Sequence, residues 1–124
     1  MAKKTGKPFG QVLREKRIEK GYSLRKFAKM VGISPTYLSQ VEQLNIDPPT
    51  ADRVKKMAEI LEENVDEWTA LAGRLTDDLP GIIHESPTDV PDLLRAVRGL
   101  TADQLRRLRE DAERMQKEGK DEEP

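Results

Sequence analysis

One glycine between two apolar stripes constrains this chain most: Gly32, in the stretch LRKFAKMVGISPTYLSQVEQ from Leu24 to Gln43. Before it, Leu24, Phe27, Ala28 and Val31 fall at i, i+3, i+4 and i+7, one apolar face of a short helix. Gly32 has no Cβ and so supplies the positive φ that a sharp turn between helices needs. Ile33 then points back towards the core. Ser34 can accept a hydrogen bond from the free N–H groups that open a second helix, and Pro35 is tolerated at its first position. In that second helix Leu38 and Val41 face inward.

The other side of the second helix carries Thr36, Ser39, Gln40 and Gln43, again at i, i+3, i+4 and i+7. All are polar and none is charged. Such a face offers donors and acceptors suited to base edges and nothing that repels phosphate. Two helices, a tight turn and this face read as a helix-turn-helix.

The stretch resembles the helix-turn-helix of the Cro/cI-type repressors, the XRE family of bacterial regulators. The resemblance is carried by Phe27, Ala28, Val31, Ile33, Leu38 and Val41, by Gly32 in the turn, and by the flanking phrases KGYSLRKFA and SPTYLSQVEQ. With Arg17 and Glu42 included it covers residues 9 to about 75. It implies an all-α fold: a five-helix, lambda-repressor-like DNA-binding domain, here with a C-terminal helical extension. It also implies that Arg17 pairs with Glu42, fixing the register of two helical units and neutralising the one acidic residue of the recognition helix. The sequence departs from the family pattern at two places. Leu24 stands where members often carry a phosphate-binding Gln. Leu44 stands where the recognition helix commonly ends in Gly, so Asn45 is expected to be the left-handed residue.

Composition narrows the function classes. The 124 residues suit one ordinary domain plus an appendage. Hydrophobic content is 35% against 36% charged, and the only aromatic residues are Phe9, Tyr22, Phe27, Tyr37 and Trp68. The core must therefore be mostly aliphatic. Absence of cysteine excludes a disulfide, a thiolate zinc site and a cysteine nucleophile. No apolar run approaches the roughly 18 residues of a membrane span, and MAKKTGKPFG lacks the apolar core of a signal peptide. A cytoplasmic protein without membrane contact is expected. The net charge of −1 conceals an asymmetry. Residues 1–31 hold ten Lys and Arg against two Glu, and residues 32–124 hold twelve against twenty-one acidic residues. A basic front beside the recognition helix and an acidic rear make an oriented dipole.

Along the chain, residues 1–7 read as a flexible basic arm whose Lys3, Lys4 and Lys7 could reach a groove. Residues 8–75 form the DNA-binding domain. Its first helix runs from about Pro8 to Lys20, with Phe9, Val12 and Leu13 buried and Gly21 ending it. Thr50 is placed to cap a fourth helix carrying Val54, Met57, Ala58 and Leu61. Asn64 or Asp66 caps a fifth with Trp68, Leu71, Ala72 and Leu75. TDDLPG reads as a hinge into an extension over 76–118. A weak helix near Ile82–Glu85 is followed by one capped by Thr88 or Asp89, and Gly99 precedes a strong helix opened by a Thr101–Gln104 capping box. Leu105, Leu108, Ala112 and Met115 make a narrow seam spaced three, four and three apart, and Leu93, Leu94 and Val97 make a second stripe. These are the expected dimer contact. Residues 119–124 read as a disordered tail.

Catalytic patterns are missing. His84 is the only histidine, Asp77 and Asp78 favour a helix N-terminus, and the chain holds no phosphate loop, GxSxG or HExxH. No enzyme, metal or cofactor is expected. The reading is a sequence-specific regulator, a repressor by the simplest mechanism, that binds a palindromic site on double-stranded DNA as a homodimer. Thr36, Ser39 and Gln40 would read bases, with Gln40 able to bond adenine N6 and N7 together. Ser23 and the amides after it, Arg25, Lys26, Lys29, Gln43 and Asn45 would meet the DNA backbone, and Tyr37 would reach it or buttress the helix. The rivals are an interaction adaptor and an antitoxin, either using the C-terminal helices to bind a protein partner.

Overall fold

A computed structural model of the chain describes residues 6–122, with side chains to residue 119. Among the described residues there are eight α-helices and no strand: α1 (Phe9–Glu19), α2 (Leu24–Val31), α3 (Pro35–Glu42), α4 (Ala51–Ile60), α5 (Val65–Leu71), α6 (Asp78–Glu85), α7 (Asp89–Ala96) and α8 (Ala102–Glu122). No described helix is long and apolar enough to cross a membrane. The chain divides into two compact units, 1–81 and 82–124.

In the first unit α1 to α5 each contribute an apolar stripe to one core. Leu13, Phe27, Ala28, Leu38, Val54, Met57, Ala58 and Leu61 are all fully buried. Phe9 meets Trp68 edge to face at 5.6 Å, which ties the start of α1 to α5. Val12 is half-buried rather than buried and packs at the core's margin. Thr69, buried beside Trp68 on α5, donates its hydroxyl to the carbonyls of Val65 and Asp66.

The helix ends follow local chemistry, with exceptions. Ser23, Ser34 and Asn64 each accept from the backbone N–H three residues on, at 3.1, 3.0 and 2.8 Å. Thr50 and Thr88 hold the N-cap positions, but neither side chain accepts a capping bond. Gly32 takes the expected left-handed backbone, and so does Gly21 after α1. The left-handed residue after α3 is Leu44 (φ 64°), not Asn45, because the reversal must come one residue earlier for the Asn45 N–H to reach the Gln40 carbonyl. Glu62 plays the same part after α4. The following 48–49 segment is pinned by Arg74, whose guanidinium donates to the carbonyls of Pro48 and Pro49.

Three further expectations change. Helix α5 ends at Leu71, so Leu71 and Leu75 leave the core stripe and are 40% and 51% exposed. TDDLPG is helical from Asp78, where α6 begins, and Pro80 fits the first turn, where its missing N–H costs nothing. Helix α8 continues through Glu122, so the tail is helical where it is described, and residues 123–124 lie outside the described residues.

In the second unit, Thr101 and Gln104 exchange the two bonds of a capping box at 2.9 and 3.1 Å and open α8. Its side chains through residue 119 are exposed, including Leu105, Leu108 and Met115. Leu93 and Leu94 on α7 are exposed as well.

Candidate nucleic-acid interface

The interface is built on α3, and α3 is held from behind. Leu38 and Val41 bury its inner face, and the Ser34 cap sets its start. Its far end is fixed by α1. Arg17 donates from Nε and Nη2 to the two Glu42 oxygens at 2.7 and 2.9 Å, and from Nη1 to the Tyr22 carbonyl at 2.9 Å. Both side chains are buried, and the Glu42 hydrogen bonds raise the Arg17 pKa above its ordinary value despite burial. Gly10 lets α1 approach closely. A Cβ there would lie 2.2 Å from the Val41 carbonyl oxygen and 2.8 Å from Leu44 Cδ2.

On the outward face Thr36 is exposed, and Ser39 and Gln40 are half-buried. Their side chains are linked. Gln43 Nε2 donates to Ser39 Oγ at 2.8 Å, and Asn45 Nδ2 donates to Gln40 Oε1 at 2.9 Å and to Gln43 Oε1 at 3.4 Å. Gln43 and Asn45, expected on the phosphate flank, thus also join the face meant for bases.

The expected phosphate contacts cluster on α2. Arg25, Lys26 and Lys29 are exposed, and the Lys26 ammonium sits 5.6 Å from the centre of the Tyr22 ring. Of the amides after Ser23, that of Lys26 is already taken by the Ser23 hydroxyl. Tyr37 is half-buried against the core, with the Arg53 guanidinium 5.6 Å from its ring centre, which suits a buttress. Lys7 is paired to Glu15 at 3.1 Å, so this part of the arm follows α1; Lys3 and Lys4 lie outside the described residues.

Two cations escaped the sequence reading. Arg14 lines a groove with Leu24, Ser39 and Gln43, floored by Arg17 and Glu42. Its signal was its place three residues before Arg17, on the same helical face. Arg53 comes to α3 only through the packing of α4, and no local pattern announces it. The seam residues Leu93, Leu94, Val97, Leu105, Leu108, Ala112 and Met115 lie in the other unit.

The helix-turn-helix family HTH_3 matches residues 13–68. A crystal structure of SinR, the master regulator for biofilm formation, in complex with DNA shares 32% identity over 48% of this chain and 95% of that one, with a TM-score of 0.45. The N-terminal DNA-binding domain of SinR from Bacillus subtilis shares 32% over 48% and 87%, also at 0.45. The clp gene regulator ClgR from C. glutamicum shares 28% over 52% and 83%, at 0.44. Comparison with curated proteins returned no match.

Proposed function

The chain belongs to the XRE-type helix-turn-helix family, and from that membership we propose that it is a DNA-binding transcriptional regulator, a repressor that binds a palindromic operator as a homodimer. The observation that carries this reading is the face of α3. It is polar, uncharged and outward, and the exposed cations of α2 lie on the neighbouring helix. Thr36, Ser39 and Gln40 read base edges in the major groove. Arg25, Lys26 and Lys29, with the first amides of α2, hold phosphates and set the register. Arg14 joins them. Repression follows from occupying a promoter.

The dimer contact is assigned to the 82–124 unit. Its support is the exposed seam on α8 and the exposed leucines of α7. The same seam supports a second reading, an adaptor or antitoxin that docks a protein partner there.

Selection of bound duplexes from a random pool tests the first reading. Enrichment of a two-fold symmetric site with half-sites about one helical turn apart is expected. No enrichment overturns it. A salt titration on random duplex separates the adaptor: a DNA binder shows a steep fall of affinity with salt, an adaptor almost none.

A further inference from the structure

We propose that Asn45 is a positioning residue: it orients the Gln40 amide and thereby sets the base preference at the operator position that Gln40 meets. This rests on the DNA-binding reading above. The Asn45 Nδ2 group donates to Gln40 Oε1 at 2.9 Å. The same nitrogen reaches Gln43 Oε1 at 3.4 Å, and Gln43 holds Ser39 Oγ at 2.8 Å. Four polar side chains thus form one linked row across the outward face.

The backbone holds Asn45 where this requires. Its N–H donates to the Gln40 carbonyl at 3.0 Å, a bond that depends on the left-handed turn at Leu44 (φ 64°). That conformation is unfavourable for a residue with a Cβ. It is supported by the seat of the Leu44 side chain beside Gly10, where α1 passes close to the end of α3. Asn45 is therefore placed by the same contact that places the recognition helix.

The consequence is chemical. A free glutamine can turn its amide by half a rotation and read adenine, accepting from N6 while donating to N7. The Asn45 bond occupies one of the two lone pairs of Oε1 and opposes the half rotation of the amide, which favours presenting Nε2, with its two donors, to a base. Two donors suit guanine, whose N7 and O6 are both acceptors. Asn45 thus biases Gln40 towards guanine.

Duplexes selected from a random pool by the full-length wild type, Gln40→Ala, Asn45→Ala and the double variant decide the matter, with competition binding at one salt concentration. Gln40→Ala should lose preference at one base pair of each half-site and so identify it. Wild type should prefer guanine there. Asn45→Ala should lower the guanine-over-adenine ratio about tenfold at that pair, leave the others unchanged, and add nothing in the Gln40→Ala background. Unaltered base preference in Asn45→Ala overturns the proposal and leaves the DNA-binding reading standing. So does a wild-type preference for adenine at that pair. A uniform loss at every position, with a lowered melting temperature, overturns it as well, by making Asn45 a helix terminator only. If wild type enriches no sequence, the DNA-binding reading fails and takes the proposal with it.

Discussion

Arg17 and Glu42 lie side by side between α1 and α3, joined by two parallel hydrogen bonds of 2.7 and 2.9 Å and both more than nine-tenths buried. A third bond runs from Arg17 to the Tyr22 carbonyl, so one guanidinium fixes α1, the approach to α2 and the end of α3. Removing Glu42 leaves that cation buried and unpaired. Glu42→Ala should cost about 3–5 kcal/mol in denaturant unfolding, and a double-mutant cycle with Arg17→Ala should show strong coupling. Coupling near zero would contradict a buried pair.

Gly10→Ala should destabilise the fold by roughly 1–3 kcal/mol, because the new methyl meets a backbone carbonyl that cannot turn aside. Ala is otherwise the better helix former. An unchanged or raised melting temperature would mean that α1 and α3 part without cost.

Lys26 and Gln40 should separate positioning from readout. Lys26→Ala should weaken cognate and random duplex alike and reduce the salt slope by about one unit. Gln40→Ala should cost about 1–3 kcal/mol on the cognate site and little on random duplex. An unchanged slope for Lys26→Ala would mean that α2 does not meet phosphate.

If the α8 seam carries the proposed dimer contact, Leu105→Glu with Leu108→Glu should give a monomer that stays folded, since both side chains are exposed in the single chain. Sedimentation reads the mass, and binding to one against two half-sites reads the loss of tethering. A variant that stays dimeric would move the contact into residues 1–81 and free the α8 seam for another protein.

The Lys20 hydrogen bond holds the Glu62 carboxyl below its ordinary range. The pair's contribution is therefore present above the unfolded value of 4.5 and is lost as pH falls through the lower folded one. Lys20→Met should raise the Glu62 midpoint towards the ordinary value in an NMR titration. Because both side chains are exposed, global stability should barely change.

The motif itself was legible in the chain because its signals are local. A stripe at i, i+3, i+4 and i+7, a glycine at the turn and a serine before a proline act within one or two helical turns. The same holds for the Thr101–Gln104 box and for Asn64. Local signals failed where a neighbour decided the outcome. Thr50 had the right residue type and place but makes no capping bond. Leu75 continues an apolar period past the point where α5 ends, and Leu71 closes that helix exposed. Leu44 is a poor residue for left-handed backbone, and it adopts it because α1 passes beside it at Gly10.

Sequence by itself determined which helices form and which face of α3 is left polar, because periodicity and capping are properties of neighbouring residues. Only the tertiary structure decided how that face is presented. Arg53 beside Tyr37, Arg14 across a groove from Ser39 and Gly10 beneath Leu44 bring together residues 16, 25 and 34 positions apart along the chain. Such pairs are chosen by packing, since each helix can bury its stripe only where another helix leaves room.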